Sequence, residues 1–163
     1  MSSLSPEPKK VRTLAGLQPV LSKYRKAGKK IVFTNGCFDV LHLGHTRYLQ
    51  KARALGDILV VGMNTDFSVR KLKGPGRPVN GEKNRAEVLA ALACVNFVVL
   101  FSEPTPQKLI QAIRPDLLIK GGDWKIKDIA GGPFVASYGG RVRTIPFVKG
   151  FSTTGLLKKI SAL

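Results

Sequence analysis

The sequence predicts an α/β fold: a Rossmann-like, doubly wound parallel sheet of about five strands with helices on both faces. Three observations predict it. Short apolar runs such as Ile31-Val32-Phe33, Ile58–Met63 and Phe97–Phe101 show little polar alternation, as strands covered on both faces do. Stretches of helical character alternate with these runs along the chain. The residues with chemistry to offer follow the predicted strands, at the carboxyl ends where such sheets bind ligands.

Each element has its own local reason. Residues 1–10 lack an apolar segment of the secretory kind and are expected to form a disordered tail, leaving 11–163 as one domain. A first helix is expected over Leu14–Ala27, disturbed at Pro19. A strand over Ile31–Thr34 gives way near Gly44 to a helix through Thr46–Leu55, and Ile58–Met63 is the second strand. A short helix over Asp66–Leu72 precedes Lys73-Gly74-Pro75-Gly76-Arg77-Pro78-Val79, a composition that excludes regular structure. Asn80 is expected to cap a helix through Leu92; Asn80-Gly81 imitates a hairpin turn, but the helical run behind it argues otherwise. Strand Phe97–Phe101 follows. Thr105 as cap and Pro106 as first residue open a helix to Ile113. Strand Asp116–Ile119 leads into the glycine-rich Lys120–Trp124. A short helix over Phe134–Tyr138 and a strand over Val142–Ile145 come next. Ser152-Thr153-Thr154 caps a last helix through Ile160. There is no internal repeat and no linker.

Composition narrows the function. The chain has 163 residues, enough for a real core, and no apolar run long enough to cross a membrane. Cys37 and Cys94 give neither a disulfide framework nor metal-ligand spacing, and reduced thiols in a cytoplasm are expected. The net charge is +17, from 27 Lys and Arg against 10 Asp and Glu. That charge raises nucleic-acid binding as a rival reading. The charges are scattered, however. The one modest cluster, Lys23–Lys30, reads as the solvated end of the first helix, and no base-stacking motif accompanies it. A positive field also suits a protein that gathers polyanionic small molecules.

The strongest signal is Thr34-Asn35-Gly36-Cys37-Phe38-Asp39-Val40-Leu41-His42-Leu43-Gly44-His45. It sets the only two histidines of the chain, three positions apart, where a strand passes into a helix. A helix start presents unpaired N–H groups and a positive dipole end, which favour phosphate. Gly44 permits close backbone approach. These parts suit a nucleoside triphosphate. Cys37 has no base paired with it in the sequence, so covalent catalysis is not expected.

With these residues in view, the chain resembles the cytidylyltransferase-like nucleotidyltransferase superfamily. Within it, the nearest resemblance is to the adenylyltransferases that make ADP-heptose from heptose 1-phosphate for lipopolysaccharide precursors. Four stretches carry it in order: Thr34–His45, Leu72–Asn80, Leu118–Trp124 and Gly150–Thr154. The resemblance implies catalytic roles for His42, His45, Lys71 and Lys73. It implies nucleotide contacts from Asn35, Gly36, Cys37, Phe38, Asp39, Gly44, Lys120, Gly121, Asp123, Ser152, Thr153 and Thr154, with Asp39 arranging the mouth of the site. It assigns Asn64, Asp66, Arg77 and Arg85 to the sugar phosphate or the loop over it. Mg²⁺ is expected with ATP, held mostly by phosphates and water, with no protein ligand assigned. ATP and a sugar 1-phosphate are the expected partners, and a separate sugar kinase is expected to supply the latter. A homo-oligomer stays open; specific nucleic-acid binding and membrane insertion are not expected.

The chemistry expected is attack of a sugar phosphate dianion on the α-phosphorus of ATP, with pyrophosphate leaving. A phosphate whose second pKa is about 6 needs no general base at neutral pH. Positioning and positive charge, from imidazoles, lysines, arginines and a helix start, do the rest. Five simpler readings stay open: Ser152–Thr154 as a plain helix cap, Lys71 and Lys73 as a solvated helix end, Gly121-Gly122 as a tight turn alone, Trp124 as a packing residue, and Arg85 as a solvated residue of an amphipathic helix. Two alternatives to the whole reading also stay open. One is transfer to another small phosphorylated acceptor, with CTP or ATP. The other is a basic nucleotide- or RNA-binding module without turnover.

Overall fold

The computed structural model describes residues 10–122 and 124–163. Five parallel strands, β1 (Ile31–Gly36), β2 (Ile58–Asn64), β3 (Phe97–Phe101), β4 (Leu117–Gly121) and β5 (Arg141–Ile145), form one sheet in the order β3-β2-β1-β4-β5. The central strand β1 pairs with β2 through Phe33 opposite Val60, and with β4 through Phe33 opposite Leu118. The chain winds outward from β1 to β3 on one side and to β5 on the other. The switch point therefore lies between β1 and β4.

The described residues form seven α-helices before, between and after the strands: α1 (Leu14–Lys26), α2 (Leu43–Arg53), α3 (Asp66–Lys73), α4 (Glu82–Ala90), α5 (Gln107–Ile113), α6 (Gly132–Ser137) and α7 (Thr153–Ile160). A single 3-10 turn spans Ile126–Asp128. The period-2 alternation of a strand divides the core in two. Ile31, Phe33, Ile58 and Val60 face Leu17 and Leu21 of α1 and Leu109, Ile110 and Ile113 of α5. Val32, Leu59, Val61 and Met63 face Leu49 and Ala52 of α2 and Ala86 and Leu89 of α4. Among the described residues no helix is long and apolar enough to cross a membrane.

Several expectations are corrected. Pro19 does not break α1. A proline in a helix interior costs about 3 kcal/mol, and full burial of Leu17 and Leu21 on either side, at roughly 1.5–3 kcal/mol each, offsets it. Asn80 does not cap α4; Gly81 holds that position without a side-chain bond, and Asn80 is spent elsewhere. Thr105 does not cap α5 either, because Pro106 takes the cap position and the helix starts at Gln107. Lys10, assigned to the tail, lies beside the sheet edge: its carbonyl accepts from Val98 N–H, and Val11 bridges to Val98. Residues 1–9 of that tail lie outside the described residues.

Candidate active site at the switch point

The site grows from the turn between β1 and α2. Phe38 is buried with φ 46°, a left-handed conformation that a bulky residue rarely adopts. Its ring lies 3.0 Å from where a Cβ on Gly36 would stand, so the turn needs glycine there. His42 is the N-cap of α2, and its Nδ1 accepts from Gly44 N–H at 3.1 Å. The neutral His42 ring therefore carries its proton on Nε2. The His42 and His45 rings stack with centroids 4.0 Å apart, and Phe38 flanks His45 at 5.4 Å. A Cβ on Gly44 would lie 2.9 Å from the His42 ring, so Gly44 makes the stacking possible.

Burial decides the charge of this pair. It lowers the pKa of His42, and it lowers that of His45 to about 4, with the neighbouring imidazole adding to the effect. The expectation of cationic imidazoles is corrected: in the free protein both rings are neutral at pH 7. The Nδ1 of His45 is buried and bonded to no partner among the described residues.

The switch point is pinned from the helix side by Tyr48, which the sequence reading passed over. Its hydroxyl lies 2.6 Å from Thr34 Oγ1 on β1 and donates to Ile119 O on β4 at 3.3 Å. Its place three residues beyond His45 was the signal that would have found it. Near the end of β4, the half-buried Lys120 has its pKa lowered by burial, partly opposed by the Cys37 thiol nearby. Gly121 and Gly122 form a floor under the Phe147 ring, which would lie 2.8 Å and 2.6 Å from a Cβ on either. Phe147 itself is 72% exposed. Asp123 lies outside the described residues.

The start of α7 closes on the same turn. Ser152 caps it, accepting from Gly155 N–H at 3.0 Å. Thr153 donates from Oγ1 to Val40 O at 3.4 Å, and Phe151 approaches Gly44. Two helix N-termini thus converge beside the histidine pair.

The remaining residues fall into two groups. Lys73 reaches the turn electrostatically: with Arg85 and Arg77 it opposes the rise in the Cys37 pKa that burial causes. The Lys71 ammonium instead lies over the Phe67 ring at 4.4 Å, on an exposed face of α3. Asn64 is buried and donates to Ser68 Oγ, and Cys37 reaches its Oδ1. Arg85, assigned to the sugar phosphate, has a side chain 0% exposed. Its Nε donates to Asn80 O, and its terminal nitrogens donate to Cys37 O and Asp66 Oδ1. Arg85 is thereby spent within the protein, whereas Asp66, paired with it through Oδ1, keeps a side chain 26% exposed.

Asp39, assigned to the nucleotide, is likewise engaged, its side chain 1% exposed. Oδ1 accepts from the N–H groups of Val79 and Asn80, each at 2.9 Å. Oδ2 accepts from Val79 N–H and from Arg77 Nε–H, each at 2.8 Å. Asn80 Nδ2 returns a bond to Asp39 O at 3.2 Å. Burial would raise the Asp39 pKa, but the Asn80 and Val79 amides and the Arg77 guanidinium outweigh it and hold the carboxyl below its usual value. Among the described residues no three His, Cys, Asp or Glu side chains gather as metal ligands. With Asp39 consumed, the donor set does not fit a protein-held Mg²⁺, and no step is assigned to one.

An open parallel sheet with paired imidazoles and two helix N-termini at its switch point defines a phosphate-handling, nucleotide-binding α/β domain. The chain belongs to the cytidylyltransferase-like family, whose model matches residues 33–142. It is 54% identical over 151 residues to the bifunctional protein HldE of Syntrophotalea carbinolica, and 53% identical to that of Geotalea uraniireducens. Each match covers 93% of this chain but 31% of the relative, so the chain spans about a third of those proteins. Among solved structures, a lipopolysaccharide core biosynthesis protein from Thermoplasma volcanium superposes with a TM-score of 0.62 at 30% identity, over 76% of this chain and all of that one. A pantothenate synthetase from Thermus thermophilus, at 16% identity and TM-score 0.59, covers 85% of this chain and 62% of its own, and shares the fold alone.

Proposed function

We propose that the chain transfers the adenylyl group of ATP to a heptose 1-phosphate, giving ADP-heptose and pyrophosphate. The observation that carries the reading is the stacked His42–His45 pair between the starts of α2 and α7. The likeness to HldE over 93% of the chain supports the acceptor class.

In this reaction an oxygen of the sugar phosphate bonds to the α-phosphorus, and the bond to the β-phosphate bridging oxygen breaks, with its electron pair leaving on pyrophosphate. The acceptor arrives as a dianion, so no side chain has to remove a proton from it. The neutral imidazoles serve as aimed donors: Nε2–H of His42, and His45 through the nitrogen that bears its proton. The N-termini of α2 and α7 add fixed dipoles toward the phosphates. Lys73, Arg77 and Lys120 reduce the repulsion between the two anions. The acceptor would itself be the product of a sugar kinase reaction, and we assign the chemistry to the cytoplasm.

The test is pyrophosphate release measured with ATP, CTP and GTP against heptose 1-phosphate, glycerol phosphate and glucose 1-phosphate. Release is expected with ATP and the heptose. Release with CTP and glycerol phosphate instead would move the chain elsewhere in its family, and none with any pair would remove transferase activity.

A further inference from the structure

The segment 74–80 carries Arg77, one of the cations beside the β1–α2 turn, yet almost nothing packs it in place. A Cβ built on Gly74 or Gly76 would meet nothing within 4 Å, and Val79 is exposed. What holds the segment is a pair of buried charges. Asp39 grips Arg77, Val79 and Asn80 from one side, and Arg85 grips the Asn80 carbonyl from the other while also reaching the Cys37 carbonyl. The partners lie 38 to 41 residues from Asp39 in sequence, so this is tertiary and not local structure.

The way Asp39 holds Arg77 matters chemically. It takes Nε–H alone, and the two terminal nitrogens of Arg77 have no bond among the described residues. The Arg77 side chain is 17% exposed and is held to Asp39 through Nε. A guanidinium held by Nε presents paired N–H donors that match a phosphate. The carboxylate thus fixes an arginine without occupying its phosphate-binding edge.

We infer that Asp39 is a positioning residue for the acceptor phosphate, acting through Arg77, with Arg85 bracing the same segment from within. The inference rests on the transferase reading above. Losing the Asp39 charge releases the segment and leaves the Arg77 fork to search for a phosphate it formerly met in place, a cost that falls on acceptor use.

Four proteins test it: wild type, Asp39→Asn, Arg77→Gln, and the double variant. In Asp39→Asn, amide exchange at Val79 and Asn80 should rise about tenfold or more. Its kcat/KM for the sugar phosphate should fall about tenfold, with the KM for ATP within about twofold of wild type. Arg77→Gln, a change at a partly exposed side chain that keeps the fold, should give a similar kinetic loss with smaller change in exchange. The double variant should lose little more than the worse single one, because both act on one contact. Additive losses, unchanged exchange in Asp39→Asn, or an ATP KM raised as much as the acceptor KM would each overturn the inference. If wild type releases no pyrophosphate with any pair, the transferase reading fails by itself. Exchange at Val79 and Asn80, with calorimetric binding of the sugar phosphate to the four proteins, then still decides whether Asp39 positions Arg77.

Discussion

His45 holds a buried ring nitrogen that bonds to no described neighbour, and a pKa of about 4 against roughly 6.5 for a free histidine. As pH falls, the unfolded chain takes up that proton before the folded one. The stability tied to neutral His45 is therefore complete above about 6.5 and lost as the pH falls through about 4. A triphosphate beside the rings works against this effect of burial, since nearby negative charge favours the protonated imidazole. ATP binding near pH 6 should then be accompanied by proton uptake, read as a dependence of calorimetric heat on buffer ionisation enthalpy. The uptake should shrink clearly in His45→Asn; an identical value in that variant would remove His45 from the phosphate site. Replacing His42 or His45 by Ala should lower turnover about a hundredfold or more, as loss of one preorganised donor does, with little change in melting temperature. Normal turnover in both variants would end the assignment of the pair.

At the scale of elements, what the sequence made legible is what local pattern encodes. The strands are apolar runs bounded by breakers, and all five fall within two residues of expectation at either end. The turn into α2 and the cap at Ser152 rest on bonds spanning two or three residues, so they too can be read along the chain. What stayed hidden depends on partners far away in sequence. Nothing near Asn80 says that it is spent on Asp39, and nothing near Arg85 says that it reaches Cys37 and Asp66. The burial that makes the histidines neutral is a tertiary property as well. Helix α7 is the element on which local and functional readings can be separated. It buries no residue of its own, so weakening it should not unfold the domain. Thr153→Ala removes the bond to Val40 and should raise the KM for ATP several-fold while the melting temperature moves by little. A lowered melting temperature with an unchanged KM would mean that the threonine only helps to hold the helix.

Over the whole molecule the charge of +17 is left almost unpaired. Among the described residues only three ion pairs form, and two of them, Asp39–Arg77 and Asp66–Arg85, lie in the wall of the site. The other cations spread over separate surfaces: the end of α1 at Lys23, Arg25 and Lys26, the edge strand at Arg141 and Arg143, and the end of α7 at Lys158 and Lys159. Spread in this way they make a broad positive field without a stripe to fit a duplex. Such a field raises the encounter rate of small anions and is screened over about 10 Å at 0.1 M salt. Raising salt from about 0.05 to 0.5 M should therefore lower kcat/KM for ATP and for the sugar phosphate together, mainly through KM, with kcat little changed. The short bonds inside the site are shielded from bulk ions, and that is why kcat should hold. Binding to mixed-sequence RNA or duplex DNA should be weak, indifferent to sequence, and largely gone at physiological salt. A tight, sequence-selective complex under those conditions would mean that the charge serves a nucleic acid, and the substrate-gathering account of it would fall.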